Sequence, residues 1–254
     1  MTTKLRVGVQ LHPQHTTYES FSTAVRQVEG LGVDSLWNWD HFFPLYGEGD
    51  GEHYEAWTML TAMAMLTERV EIGCLVTCNS YRNASLLTHM AKTLDHISHG
   101  RLILGLGAGW FKRYYEAFGY MFGTTSGRLR DLSEALAVIK RRMAAEVSAP
   151  VRNRIPILIG CGGEKVTLKL TAQYADLWNE FGPPEAWRHK NNVLTRWCET
   201  VGRDPAEIER TVSVSQKDVP GNLNAFTSIL VDDLQHDEAR FIARTVLLAE
   251  QTFV

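Results

Sequence analysis

No apolar run in the 254 residues reaches the roughly 20 residues that a membrane-spanning helix requires, so no membrane span is expected. Charge of neither sign is in excess: 26 Lys and Arg stand against 29 Asp and Glu, a formal net charge of −3. So mild an acidity offers little to a phosphate backbone, and nucleic acid is not expected as a partner. Cysteine is scarce, and Cys74, Cys78, Cys161 and Cys198 include no C-x-x-C pair. They read as reduced, mostly buried thiols of a cytoplasmic protein. Met1 to Gln10 is too short and too strand-like for a signal peptide. The nine histidines form no H-x-H or H-E-x-x-H, and there is no G-x-S-x-G. Neither a metal site nor a serine nucleophile elbow is therefore expected.

What the chain does contain is core. Hydrophobic residues make up 44% and charged residues 22%, enough apolar side chain for one folded domain across 1–254. Short apolar runs alternate with amphipathic stretches. Strands are expected over 5–11, 35–39, 70–77, 101–107, 156–160, 175–179 and 208–215, with an eighth at 239–243. Helices are expected over 18–31, 56–66, 84–97, 128–145, 164–174 and 185–201, and a clipped last helix over 245–254. Phe21, Ala24, Val25, Val28 and Leu31 follow the helical period, and Gly32 stops it. Strand–helix alternation implies parallel strands with helical crossovers, in an open doubly wound sheet or a closed barrel. Seven or eight units in one uninterrupted chain favour an α/β fold of the (β/α)8 TIM-barrel type, near the usual barrel length.

In such a barrel, chemistry gathers where strands end at their C-termini. The residues there are His12, the Asp40-His41 pair, Thr77 to Asn79, Gly107 to Trp110, Gly160 to Lys165, and Asn179 with Glu180. A histidine side chain can give or take a proton, which makes His41 a candidate acid/base, while Asp40 suits anchoring of a cofactor; the pair could equally do no more than order a loop. Leu104 to Trp110 has alternating glycines but breaks the G-x-G-x-x-G dinucleotide pattern at Trp110, so it carries little weight as a Rossmann signal and could be a tight turn. Gly160-Cys161-Gly162-Gly163 opens a helix, where backbone N–H groups can surround a phosphate. A plain strand-to-helix loop is the alternative.

Several ordered motifs together resemble the luciferase-like monooxygenase superfamily, in its branch dependent on the deazaflavin coenzyme F420. They are Trp39-Asp40-His41-Phe42-Phe43-Pro44, the run Leu75 to Asn83, Thr93 to Ser98, Gly100-Arg101-Leu102, Gly105 to Trp110, Tyr115 to Gly119, Pro156 to Gly160 with Gly162-Gly163, and Tyr174 to Asn179. The likeness covers roughly 5–215. It implies a barrel whose mouth holds F420, with FMN as the alternative cofactor of the superfamily, and a small-molecule substrate. His41 becomes the candidate catalytic acid/base. Asp40, Cys74, Leu75, Thr77, Gly107, Ala108, Gly160, Gly162 and Gly163 become candidate cofactor contacts, and a non-proline cis peptide is implied at Cys74–Leu75.

The resemblance also implies a homodimer, with the helix over 56–66 and its Met59, Met63 and Met65 as the candidate buried face. Where sugar-phosphate dehydrogenases of the superfamily carry a glutamate and a tryptophan, this chain has Trp110 and Leu45, so a sugar-phosphate substrate is not expected. The segment 145–155 is shorter than in most relatives. An FMN-dependent monooxygenase and a cofactor-binding protein without turnover are the competing readings.

Overall fold

The computed structural model describes residues 4–144, 148–215 and 238–245. Nine strands are joined by parallel pairing: β1 (Lys4–Leu11), β2 (Ser35–Asn38), β3 (Glu71–Cys74), β4 (Thr77–Cys78), β5 (Leu102–Gly107), β6 (Ile157–Gly160), β7 (Leu177–Phe181), β8 (Glu209–Ser215) and β9 (Glu238–Thr245). Their order is β3-β2-β1-β9-β8-β7-β6-β5-β4, and β3 also pairs with β5, which closes the ring. β3 and β4 are two halves of one interrupted strand, both alongside β5, so the barrel has eight staves. The expected eighth strand is thus present as β9, whereas the expected helix after it lies outside the described residues.

The helices between strands are α1 (Tyr18–Gly30), α2 (Ala56–Leu66), α3 (Ala84–Ile97), α4 (Lys112–Phe118), α5 (Thr125–Met143), α6 (Thr167–Tyr174) and α7 (Pro184–Val201). The helical period of α1 buries Phe21, Ala24, Val25 and Val28 as expected. Leu31 departs from that pattern: it caps the helix and is 77% exposed, and Gly32 follows with φ of +84°. Strands β2 and β6 are buried at every position, as parallel staves covered on both faces must be. The main core fills the space between strands and helices with Leu36, Ile72, Leu104 and Ile159.

Three expectations need correction. Helix α4 was not foreseen, because seven residues give too little period to read; Gly119, left-handed at φ 72°, ends it. The helix expected from 164 begins at Thr167, since residues 164–166 form a turn and Val166 supplies no side-chain cap. Met59 and Met63 of α2 are buried in the chain's own core, at 4% and 0% exposure; of the three methionines only Met65 faces outward.

Candidate active site

The staves end in a mouth whose two sides are built differently. On the side of β1, β2 and β4, the backbone leaves β2 through Trp39, Asp40 and His41. Trp39 is buried, with the His12 ring stacked on its face at 3.7 Å and 4° and the His41 ring against its edge at 4.6 Å. Its indole N–H donates to His53 Nε2 at 3.2 Å. Burial depresses His53 to about 4, so at neutral pH this ring is uncharged and free to accept that bond. Tyr114 closes against His41 at 5.3 Å. Burial raises the Tyr114 phenol to about 12, and its hydroxyl donates to the Phe43 carbonyl at 2.9 Å, so it holds its proton at neutral pH. His41 itself is partly exposed.

Asp40 lies in a network of bonds that the sequence did not show. Its carboxylate is fully buried and faces inward, with Oδ2 accepting from the Cys78 amide at 2.9 Å and from Arg82 at 2.7 Å, and Oδ1 accepting from Arg82 at 3.1 Å. Burial pushes the Asp40 carboxyl up, against the pull of the Arg82 fork and the Cys78 amide. Arg82 resists its own desolvation because Asp40 and Glu55 both favour its charge, and its pKa is raised.

The interruption between β3 and β4 contains a non-proline cis peptide at Leu75–Val76. The sequence placed it one bond earlier, at Cys74–Leu75. Cys74 still pairs with Asn38 and the Leu75 amide still donates to the Asn38 carbonyl at 2.8 Å, so regular strand geometry continues to that point. Gln10 reaches across from β1 and donates to the Leu75 carbonyl at 2.8 Å. Cys74 and Thr77 are buried, and Thr77 accepts from Trp57 Nε1 at 3.2 Å.

The other side, which begins next to β4 at the end of β5, is made of the expected glycines, and the structure supplies reasons for them. A Cβ at Gly107 or Gly160 would lie 2.6 Å or 2.8 Å from the Val76 side chain. The bulge that interrupts the third stave thus presses on the end of the adjacent β5 and on that of β6 beyond it, and only glycine leaves it room. Ala108 follows Gly107, partly exposed. At Gly162 a Cβ would meet Glu180 and Lys190, which form a 2.9 Å ion pair with Glu180 only 3% exposed. Gly163 is open to solvent and borders only Thr167, whose hydroxyl a Cβ would approach to 2.7 Å. Lys190 and Glu180 were not foreseen as partners, since one comes from α7 and the other from β7.

Two buried side-chain oxygens, Asn38 Oδ1 and Asn79 Oδ1, have no hydrogen-bond partner among the described residues; the Asn38 side chain turns toward helix α2, donating to the Ala56 carbonyl at 2.7 Å. Both lie at the ends of staves beside the Asp40-His41 segment. Among the described residues, no group of three or more His, Cys, Asp or Glu could hold a metal ion, and no helix is long and apolar enough to cross a membrane.

A closed parallel α/β barrel with an aromatic, histidine-bearing mouth at its strand C-termini defines the class of protein. The family model for luciferase-like monooxygenases matches residues 1–216, and the chain belongs to that family. Among its relatives is a protein described as an F420-dependent glucose-6-phosphate dehydrogenase from Kineococcus radiotolerans. It is 29% identical over 236 residues, covering 83% of this chain and 67% of that protein. The chain spans about half to two thirds of the length of the curated relatives it matches.

Among solved structures, an F420-dependent secondary alcohol dehydrogenase in complex with an F420–acetone adduct superposes with a TM-score of 0.78 at 16% identity, covering 97% of this chain and 94% of that one. The FMN-bound oxygenating constituent of 3,6-diketocamphane monooxygenase from Pseudomonas putida gives 0.68 at 14% identity, covering 85% and 67%. Likeness at these identities supports the shared barrel fold.

Proposed function

We propose that this chain is an oxidoreductase that uses coenzyme F420 to move a hydride to or from a small organic substrate. The observation that carries the reading is the placement of His41: a partly exposed imidazole at a strand exit, framed by Trp39 and Tyr114. The curated relative from Kineococcus radiotolerans, described as F420-dependent, supports the choice of cofactor. The residues present fit a large planar ring with polar edges. Asn79 offers a buried acceptor without a partner among the described residues, the Leu75–Val76 bulge and Thr77 form a wall, and Gly107, Ala108, Gly160, Gly162 and Gly163 continue from it round the mouth, where backbone could approach a phosphate. When bound, F420 supplies a two-electron hydride carrier.

His41 does the protein's part of the chemistry. Oxidising an alcohol or reducing a carbonyl moves a proton at the substrate oxygen, and a group titrating near neutrality transfers it best. Trp39 and Tyr114 hold the ring by its edge and exclude water from its flanks. The test is to mix the protein with oxidised F420 and a panel of small alcohols, and with reduced F420 and the matching ketones, and to follow deazaflavin absorbance. Turnover in either direction is expected; oxygen uptake with reduced FMN and no deazaflavin turnover would overturn the reading in favour of the monooxygenase, for which the FMN-bound structural neighbour speaks.

The substrate is small and carries no sugar phosphate in this reading, because an exposed Trp110 replaces the expected glutamate. The chain also works as a homodimer. Helix α2 contains no charged residue, and Met65 remains 71% exposed on it. A mass of one chain by light scattering at micromolar concentration would rule the dimer out.

A further inference from the structure

Asp40, Arg82 and Glu55 belong to a closed ring of contacts at the mouth. Arg82 grips Asp40 with two nitrogens, at 2.7 Å and 3.1 Å, and donates to Glu55 at 2.5 Å. Glu55 in turn caps helix α2, accepting from the Trp57 amide at 3.1 Å and the Thr58 amide at 2.7 Å. The Arg82 guanidinium lies 5.9 Å from the Trp57 ring centroid. Trp57 donates to Thr77, the next residue is Cys78, and the Cys78 amide returns to Asp40 at 2.9 Å. The ring therefore ties together the exit of β2, the segment β4 and the N-terminus of α2.

An ionised carboxylate has about four acceptor positions, and three of those on Asp40 are occupied by donors from this ring. Its side chain has no exposure to the mouth. A planar guanidinium fork fixes both distance and angle, which a point charge on a flexible stem does not. One residue beyond Asp40 is His41, and one residue beyond Cys78 is Asn79 with its unpartnered oxygen.

We propose that Arg82 is a positioning residue, which through Asp40 sets where the backbone leaves β2 and β4 and so fixes His41 and Asn79 relative to each other. Asp40 serves that ring, with no direct contact to cofactor. The inference rests on the reading of His41 as the proton-transferring group, but the experiment separates the two.

Asp40→Asn, Arg82→Gln and the conservative Arg82→Lys are compared with the wild-type chain by F420 titration, by steady-state kinetics and by NMR of the His41 ring without cofactor. Expected are losses of tenfold to a hundredfold in kcat for Asp40→Asn and Arg82→Gln, with F420 Kd changed less than threefold and His41 ring signals shifted in both. Arg82→Lys keeps the charge, loses the fork and recovers only part of the rate. A tenfold or greater rise in F420 Kd for Asp40→Asn alone would make Asp40 a direct cofactor ligand and overturn the proposal. Unshifted His41 signals in both variants would overturn it too, even were the wild-type chain to bind no F420; that last result would sink the cofactor assignment and leave the NMR arm to decide. Should Arg82→Gln not fold, Arg82→Lys carries the same comparison.

Discussion

The two sides of the mouth are fixed by different physics. Around Asp40 and His41, position comes from directional bonds and ring contacts: an ion-pair ring through Arg82 and Glu55, and a series of aromatic rings, stacked at His12–Trp39 and edge-on from Trp39 through His41 to Tyr114. Around Gly107, Gly160 and Gly162, position comes from the absence of side chains, since Val76 and the Glu180–Lys190 pair occupy the space a Cβ would need. A side held by charge and hydrogen bonds is suited to placing a proton-transfer group. A side held by close backbone approach is suited to presenting N–H groups to an anion. Substitutions should therefore fail in different ways on the two sides.

The largest effect is expected at His41. His41→Ala should lower kcat by about 10²–10⁴-fold, the usual contribution of a general acid or base, while F420 affinity changes less than tenfold. His41→Gln should lose nearly as much; a near-wild-type kcat in both variants would take His41 out of the mechanism.

A second test uses pH. His53 has a folded pKa of about 4 against an ordinary 6.5, so between those values the unfolded chain takes up a proton that the folded chain refuses. Stability from this group is full above about pH 6.5, falls as pH drops toward 4, and levels off below, a loss on the order of 3 kcal/mol. Urea unfolding of wild type and His53→Gln at pH 7 and pH 4.5 should show the smaller pH-dependent loss in the variant. Parallel losses would mean that burial does not keep the His53 imidazole neutral.

On the glycine side, Gly107→Val should destabilise the barrel by about 1–3 kcal/mol through overpacking against Val76. Truncating the obstacle with Val76→Ala in the same chain should recover part of it. Equal loss with and without Val76→Ala would show that Val76 is not what the glycine accommodates. Gly163→Val, at an exposed position where the Thr167 hydroxyl must give way, should cost some stability but keep the barrel folded while weakening F420 binding. If binding survives it, this loop does not hold the phosphate.

Much of this was legible in the sequence, and the gaps have physical causes. The staves show because buried parallel strands are short unbroken apolar runs, as in Leu102–Gly107. His41 and the glycines show because they lie at strand ends. The partner of Asp40 does not, because Arg82 lies forty-two positions away in the chain. That Glu180 and Lys190 converge on Gly162 was not legible, because no local pattern reveals it. The methionines of α2 suggested a partner surface, yet Met59 and Met63 fill the chain's own core; period alone does not say which covering an apolar face has.

The comparison of the two sides rests on one cofactor spanning both. Fluorescence titration of the purified chain with F420 and FMN side by side tests this most directly. The account predicts F420 binding at micromolar affinity or better, and FMN binding at least tenfold weaker, a difference of about 1.4 kcal/mol. Equal affinities, or tighter binding of FMN, would contradict it.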